Sequence, residues 1–154
     1  PFGVCLIREG SEVGEVAQPH DLGSMASIVD WDMSQPGLLF ITTRGGPRFR
    51  IIERKIQSDR LQTARVSWLD EPPPQPVPEH LAGAVPLLRA IVADAGADAF
   101  AQPHRFDDAT WVGYRLAEIL PIPTEARLRL LELDDTISRL EIIHAFLRQH
   151  QLID

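Results

Sequence analysis

GLLFITTRGGPRFRIIERKIQSDRLQTARVSWLD, residues 37–70, reads as three antiparallel strands joined by tight turns. Residues 37–43 carry a continuous apolar run, Leu38, Leu39, Phe40 and Ile41, as a strand buried on both faces does. Gly45, Gly46 and Pro47 interrupt the run. Glycine reaches positive φ without a Cβ clash, so this interruption reads as a hairpin turn. Residues 48–56 alternate at first, with Arg48 and Arg50 on one face and Phe49 and Ile51 on the other. The doublet Ile51–Ile52 then reverses the phase, as a bulge or a strand passing between two cores does. In the third strand Ala64, Val66 and Trp68 share one face, and Thr63, Arg65 and Ser67 the other. The stretch is a β-meander.

Upstream, residues 2–7 have the composition of a buried strand, and residues 8–21 are polar and broken by Gly10, Gly14 and Pro19. Strand character returns over residues 23–33. Strict alternation puts Met25, Val29, Trp31 and Met33 on one face and Ala26 and Ile28 on the other, with Asp30 and Asp32 toward solvent. Ser34-Gln35-Pro36-Gly37 has its proline and glycine placed to make a turn.

Downstream, EPPPQPVPE, residues 71–79, ends the sheet pattern. Proline lacks an amide hydrogen and favours extended geometry, so the stretch reads as a semi-rigid spacer, with a docking motif for a proline-recognising module as the sharper alternative. After it the period lengthens. Residues 79–95 carry Leu81, Val85, Leu88, Ile91 and Val92 on a helical stripe that ends near Gly96. Asp107 or Asp108 is placed to cap a second helix through Leu120, Pro121 and Pro123 separate it from a third, and Asp134 or Asp135 caps a fourth. Four short helices with brief connections make a bundle. The domain reading is therefore a β-rich part over residues 1–70, a proline-rich linker over 71–78 and a helical bundle over 79–154. Leu39, Ile41, Phe49, Ile51, Val66, Leu116, Leu131, Leu140 and Phe146 are the expected core.

Composition bounds the function. The chain has 154 residues, 44% of them hydrophobic, and a mean hydropathy near zero. One cysteine, Cys5, allows no internal disulfide and fits a reducing, cytoplasmic compartment. No apolar run reaches the length of a membrane span. The formal charge of −7 argues against a general nucleic-acid binder, yet residues 44–65 hold seven basic residues against two acidic ones, a local +5. Pairing with acidic helices or simple solvation accounts for those arginines; a basic interface is the alternative.

Catalytic patterns are missing from the sequence: no phosphate-binding GxxxxGK[ST], no GxSxG elbow, and five histidines in no ligand spacing. Cys5 reads as a small buried hydrophobe. The acidic pairs at helix starts read as caps, and Trp31 and Trp111 either as packing or as binding-surface aromatics. Neither a cofactor nor a metal is expected.

FGVCLIREGSEVG (residues 2–14), the strand at residues 23–28, TRGGPRFRI (43–51) and ILPIPTEARLRLLELDDTISRLEIIHAFL (119–147) together resemble the Lon-protease N-terminal domain family in its stand-alone bacterial form. The resemblance implies α+β architecture: a PUA-like antiparallel β pseudo-barrel followed by a C-terminal helical bundle. It implies a part that engages unfolded substrate protein, and so a non-catalytic polypeptide-binding module. The family's ATPase and Ser–Lys protease modules have no counterpart in these 154 residues, so the chain is not expected to be an enzyme. The family's opening strands also have no counterpart, and Pro1 falls where they would have ended. An unpaired barrel edge follows as an expectation, with either an upstream segment or an edge-paired homodimer to satisfy it. Extended polypeptide is the expected partner, with Trp31, Arg44, Arg48 and Trp111 as its contacts; neither a membrane nor nucleic acid is expected. A PUA-like RNA-binding protein and a small-molecule-binding domain with an interdomain cleft are the alternatives.

Overall fold

The computed structural model describes residues 1–11 and 13–154, with Ala97 described by its backbone alone. It divides into two compact units, Pro1–Glu71 and Pro72–Asp154.

The first unit is one antiparallel sheet of four strands: β1 (Phe2–Glu9), β2 (Gln18–Gln35), β3 (Leu38–Ile56) and β4 (Gln62–Trp68). Their spatial order is β1-β2-β3-β4, so the sheet is an open meander and β1 and β4 are its edges. The turn between β2 and β3 falls at Pro36–Gly37, with Gly37 at φ 83°, a conformation that glycine adopts without strain.

Gly45 and Gly46 do not turn the chain. They lie within β3, which runs unbroken for 19 residues, so residues 37–70 hold two strands rather than three. The pairings Ser24↔Arg48 and Ala26↔Gly45 leave Gly46 and Pro47 together opposite Met25. That is a β-bulge. It absorbs a proline that cannot serve the ladder, and the missing side chain of Gly46 gives room beside Met25. The Ile51–Ile52 phase reversal is a second bulge, because Ile51 pairs with Val66 and Glu53 with Arg65.

Phe49 is the centre of the packing in this unit. Its ring is buried and meets Trp68 edge-on at 6.3 Å. Gly23 lies beneath it: a Cβ there would stand 2.6 Å from the Phe49 ring and from the Val4 carbonyl oxygen. Ile51 and Val66 are half-buried. Leu39 and Ile41, expected in the core, are 54% and 43% exposed. A strand with apolar residues on both faces implies burial only when other layers cover those faces, and none of the described residues of this unit covers them.

Among the described residues the second unit holds two short 3-10 turns, at Glu79–Leu81 and Ala97–Ala99, and four helices: α1 (Ala84–Ala95), α2 (Ala109–Ile119), α3 (Thr124–Glu132) and α4 (Thr136–Gln149). Leu88, Val112, Leu116, Leu140, Ile143 and Leu147 form its fully buried centre. Leu131 and Phe146 are half-buried at its margin rather than central. Asp108 caps α2 by accepting from Thr110 N–H at 2.9 Å, and Asp135 caps α4 by accepting from Ser138 N–H. The proline-rich stretch is built into this unit. Its Gln75 carbonyl accepts from Ala109 N–H at 2.7 Å and its Pro73 carbonyl from the Thr110 hydroxyl at 2.9 Å, satisfying donors at the start of α2.

Arg139 is wholly buried among these helices. Its Nε donates to the Leu130 carbonyl at 2.9 Å and its Nη2 to the Leu133 carbonyl and the Tyr114 hydroxyl, with the guanidinium 4.1 Å above the Tyr114 ring. The carbonyls at the end of a helix have no partner within it, and a cation suits the negative end of the helix dipole. Arg139 therefore terminates α3 from a position on α4. Its place among Ile137, Leu140 and Ile143 gives no sequence signal for that role.

Candidate functional site

Beyond the reach of β1, the β2–β3 hairpin stands as a two-stranded arm. Pairing of β1 with β2 stops at Phe2↔Ala26, and pairing of β4 with β3 stops at Trp68↔Phe49. Among the described residues, 27–35 of β2 and 38–44 of β3 therefore pair only with each other. The amphipathic pattern of the arm follows from its register. Trp31 pairs with Ile41 and Ile28 with Thr43, so alternation along β3 sets Leu39, Ile41 and Thr43 on the face of Trp31 and Ile28. The register shift between Ile28 and Asp30 is what brings Ile28 to this face, opposite to the placement by strict alternation. Asp30 pairs with Thr42, Asp32 with Phe40 and Ser27 with Arg44, which places the charged residues of the arm on the other face. One face is thus an uncharged stripe of Ile28, Trp31, Met33, Leu39 and Ile41, all exposed, with Trp31 the most open at 64%.

The four residues singled out from sequence fall in three settings. Trp31 and Arg44 are both exposed on the arm, on opposite faces. Arg48 is 2% exposed, which withdraws it from any ligand surface. Its Nη2 donates to the Asp70 carbonyl at 2.7 Å and its Nε stands 3.7 Å from the Glu71 carboxylate. Its alternation with Arg50 suggested a shared outward face; the end of the unit folding back over Arg48 is a tertiary event. Trp111 belongs to the helical unit, half-buried in an aromatic cluster. Its ring lies 5.1 Å from Phe106 and 5.7 Å from His104, and Arg89 sits 4.1 Å above Phe106.

Concavities among the described residues include two of note. An open basin of about 860 Å³ lies in the first unit, lined by Gly3, Cys5, Met25, Phe49, Val66 and Trp68. Cys5 there has its thiol pKa raised, first by burial and then by the nearby Asp21 carboxylate, so it is a poor nucleophile. The second is an apolar groove of about 660 Å³ between α3 and α4, lined by Ile122, Ala126, Leu133, Ile142 and Phe146. Among the described residues no group of three or more His, Cys, Asp or Glu is placed to hold a metal ion, and no helix is long and apolar enough to cross a membrane.

A family profile for the ATP-dependent protease La (LON) substrate-binding domain matches residues 1–149. The chain belongs to the Lon substrate-binding domain family. Among solved structures, a Lon N-terminal domain protein from Xanthomonas campestris is similar over 94% of this chain and 74% of its own, with 31% identity and a TM-score of 0.73. The N-terminal domain of a Mycobacterium avium complex Lon protease shares the fold at 15% identity and a TM-score of 0.57, over 86% of this chain and 73% of its own. No curated protein matches. Within the Lon substrate-binding domain family the α+β architecture expected from sequence holds, with the sheet of this chain open rather than closed.

Proposed function

We propose that this chain is a non-catalytic module that holds extended, apolar-rich segments of unfolded polypeptide. The observation that carries the reading is the uncharged stripe on the β2–β3 arm, in a member of a substrate-binding domain family. Contiguous exposed apolar surface marks an interaction site, and an aromatic at its centre supplies contact area at low entropic cost. Trp31 is that anchor. Arg44, exposed on the opposite face, draws in carboxylate-bearing segments, and Trp111 offers a second, half-buried aromatic contact in the helical unit. Arg48 contributes indirectly by tying down the end of the first unit. RNA is a weaker candidate, because Arg48 is buried and Arg65 lies 3.3 Å from Glu53, which engages two of the seven basic residues of the meander.

The test is fluorescence anisotropy with labelled α-lactalbumin, reduced and carboxymethylated to keep it unfolded, against its native form. The unfolded form should bind at micromolar concentration and the native form far more weakly. Replacing Trp31 with Ala should weaken binding by about tenfold or more, as truncating a central aromatic does. Equal affinity for both forms, or none at high micromolar concentration, rejects the reading.

A further inference from the structure

The proline-rich stretch is anchored on one side and bare on the other. Proline fixes its own φ and holds the residue before it extended, so Pro72, Pro73, Pro74, Pro76 and Pro78 leave residues 71–78 no compact alternative. Pro78, at φ −61° and ψ 146°, has polyproline geometry. On the anchored side, Val77 N–H donates to the Asp107 carbonyl at 3.3 Å and Gln75 N–H to the Asp108 carboxylate at 3.1 Å. Ala109 N–H and the Thr110 hydroxyl donate in turn to the Gln75 and Pro73 carbonyls, and Val77 packs against the helical core.

The bare side differs in kind. Pro76 bridges Asp108 in antiparallel fashion between two of these bonds, so its carbonyl, and by alternation that of Pro74, turns away from α2. Pro73, Pro74 and Pro76 are exposed, and Pro73 and Pro76 stand three residues apart, the repeat of a polyproline helix. The outer edge thus offers carbonyl acceptors at Pro74 and Pro76 with no N–H beside them. A β-strand cannot complete such an edge, because it needs donors as well as acceptors.

From this we infer that residues 73–76 are a docking strip for a folded protein that presents an aromatic-lined groove with a basic rim. Aromatic rings pack on proline rings, and an indole N–H or a phenol O–H donates to the outward carbonyls. The basic rim follows from charge. Exposed Glu71 and Glu79 flank the strip in sequence, exposed Asp107 supplies the carbonyl bonded to Val77, and residues 66–88 contain no lysine or arginine. Against them stands Arg105, near Asp107 in sequence. Because α2 already holds the strip in shape, little ordering entropy is lost on docking. The inference is independent of the polypeptide-binding reading: it concerns another unit and a folded partner.

The experiment titrates the whole chain with a WW domain, a small fold whose groove of tyrosine and tryptophan reads polyproline geometry. It is made in two versions, with lysines or with glutamates at the groove rim. Calorimetry should show saturable micromolar binding of the lysine-rimmed version, and binding weaker by about tenfold or more for the glutamate-rimmed one. Pro74→Ala and Pro76→Ala each remove a ring and restore an N–H, and each should weaken binding by about fivefold or more. Pro121→Ala, at an exposed proline between α2 and α3, should leave it unchanged, and matched melting curves establish that every variant is folded. The inference is overturned if the lysine-rimmed version fails to bind at millimolar concentration, if the two rims bind equally, or if affinity ignores both Pro74→Ala and Pro76→Ala. Displacement of the WW domain by unfolded lactalbumin assigns the strip to the polypeptide-binding surface and also overturns it.

Discussion

Gly23 shows how little room a single position leaves. It pairs with Cys5 on one side and Phe49 on the other, and a Cβ would meet the Cys5 sulfur at 2.5 Å as well as the Phe49 ring. Gly23→Ala should destabilise the first unit by about 1–3 kcal/mol, the usual cost of overpacking, read as a lower denaturation midpoint with an unchanged helical signal. At Arg139 the constraint is polar. Arg139→Met keeps much of the volume but leaves the Leu130 and Leu133 carbonyls without their donor, so a loss of about 3 kcal/mol is expected in urea denaturation. Arg139→Lys should recover part of that loss, because an ammonium keeps the charge but not the planar fork that reaches both carbonyls and the Tyr114 hydroxyl.

At the scale of elements, the helices and the arm obey different accounts. The stripe of α4, with Leu140, Ile143 and Leu147 fully buried, was legible from its period, because a helix that must bury one face repeats its apolar residues at helical spacing. The caps were legible to within one residue, as Asp107 or Asp108 and as Asp134 or Asp135, for a local reason: Asp108 and Asp135 each satisfy a donor within three residues. In the arm the same apolar signal had the opposite outcome, and Leu39 and Ile41 are exposed. The contrast is measurable. Leu140→Ala should cost about 2–5 kcal/mol, whereas Leu39→Ala should leave global stability nearly unchanged and lower polypeptide affinity instead. Equal stability losses at the two positions would mean that the arm is covered in solution.

For the whole molecule, what bears on function is that one chain holds both a packed helical unit and an open sheet. The helical unit supplies a dense core around Leu116 and Leu140; the sheet supplies an exposed apolar stripe. The sequence carries no phosphate-binding GxxxxGK[ST] and no GxSxG elbow. The expectation is that purified protein neither hydrolyses ATP nor cleaves casein; activity that co-purifies through successive columns and survives in independent preparations would contradict it.

By itself, the sequence determined the elements whose causes lie within a few residues. These are the Pro36–Gly37 turn, the helix starts, the phase reversal at Ile51–Ile52 and the change of period after the proline-rich stretch. The motif set at residues 2–14, 23–28, 43–51 and 119–147 also carried the family resemblance that the profile match bears out. Tertiary structure alone decided that Gly45 and Gly46 lie in a bulge within a single long strand, because a glycine pair permits a turn and a bulge equally and only the pairing with β2 chooses between them. It also decided that Arg48 is buried beneath Asp70 and Glu71 while Trp31 and Ile41 are open to solvent. Periodicity reports which residues share a face; whether another layer covers that face depends on chain segments distant in sequence.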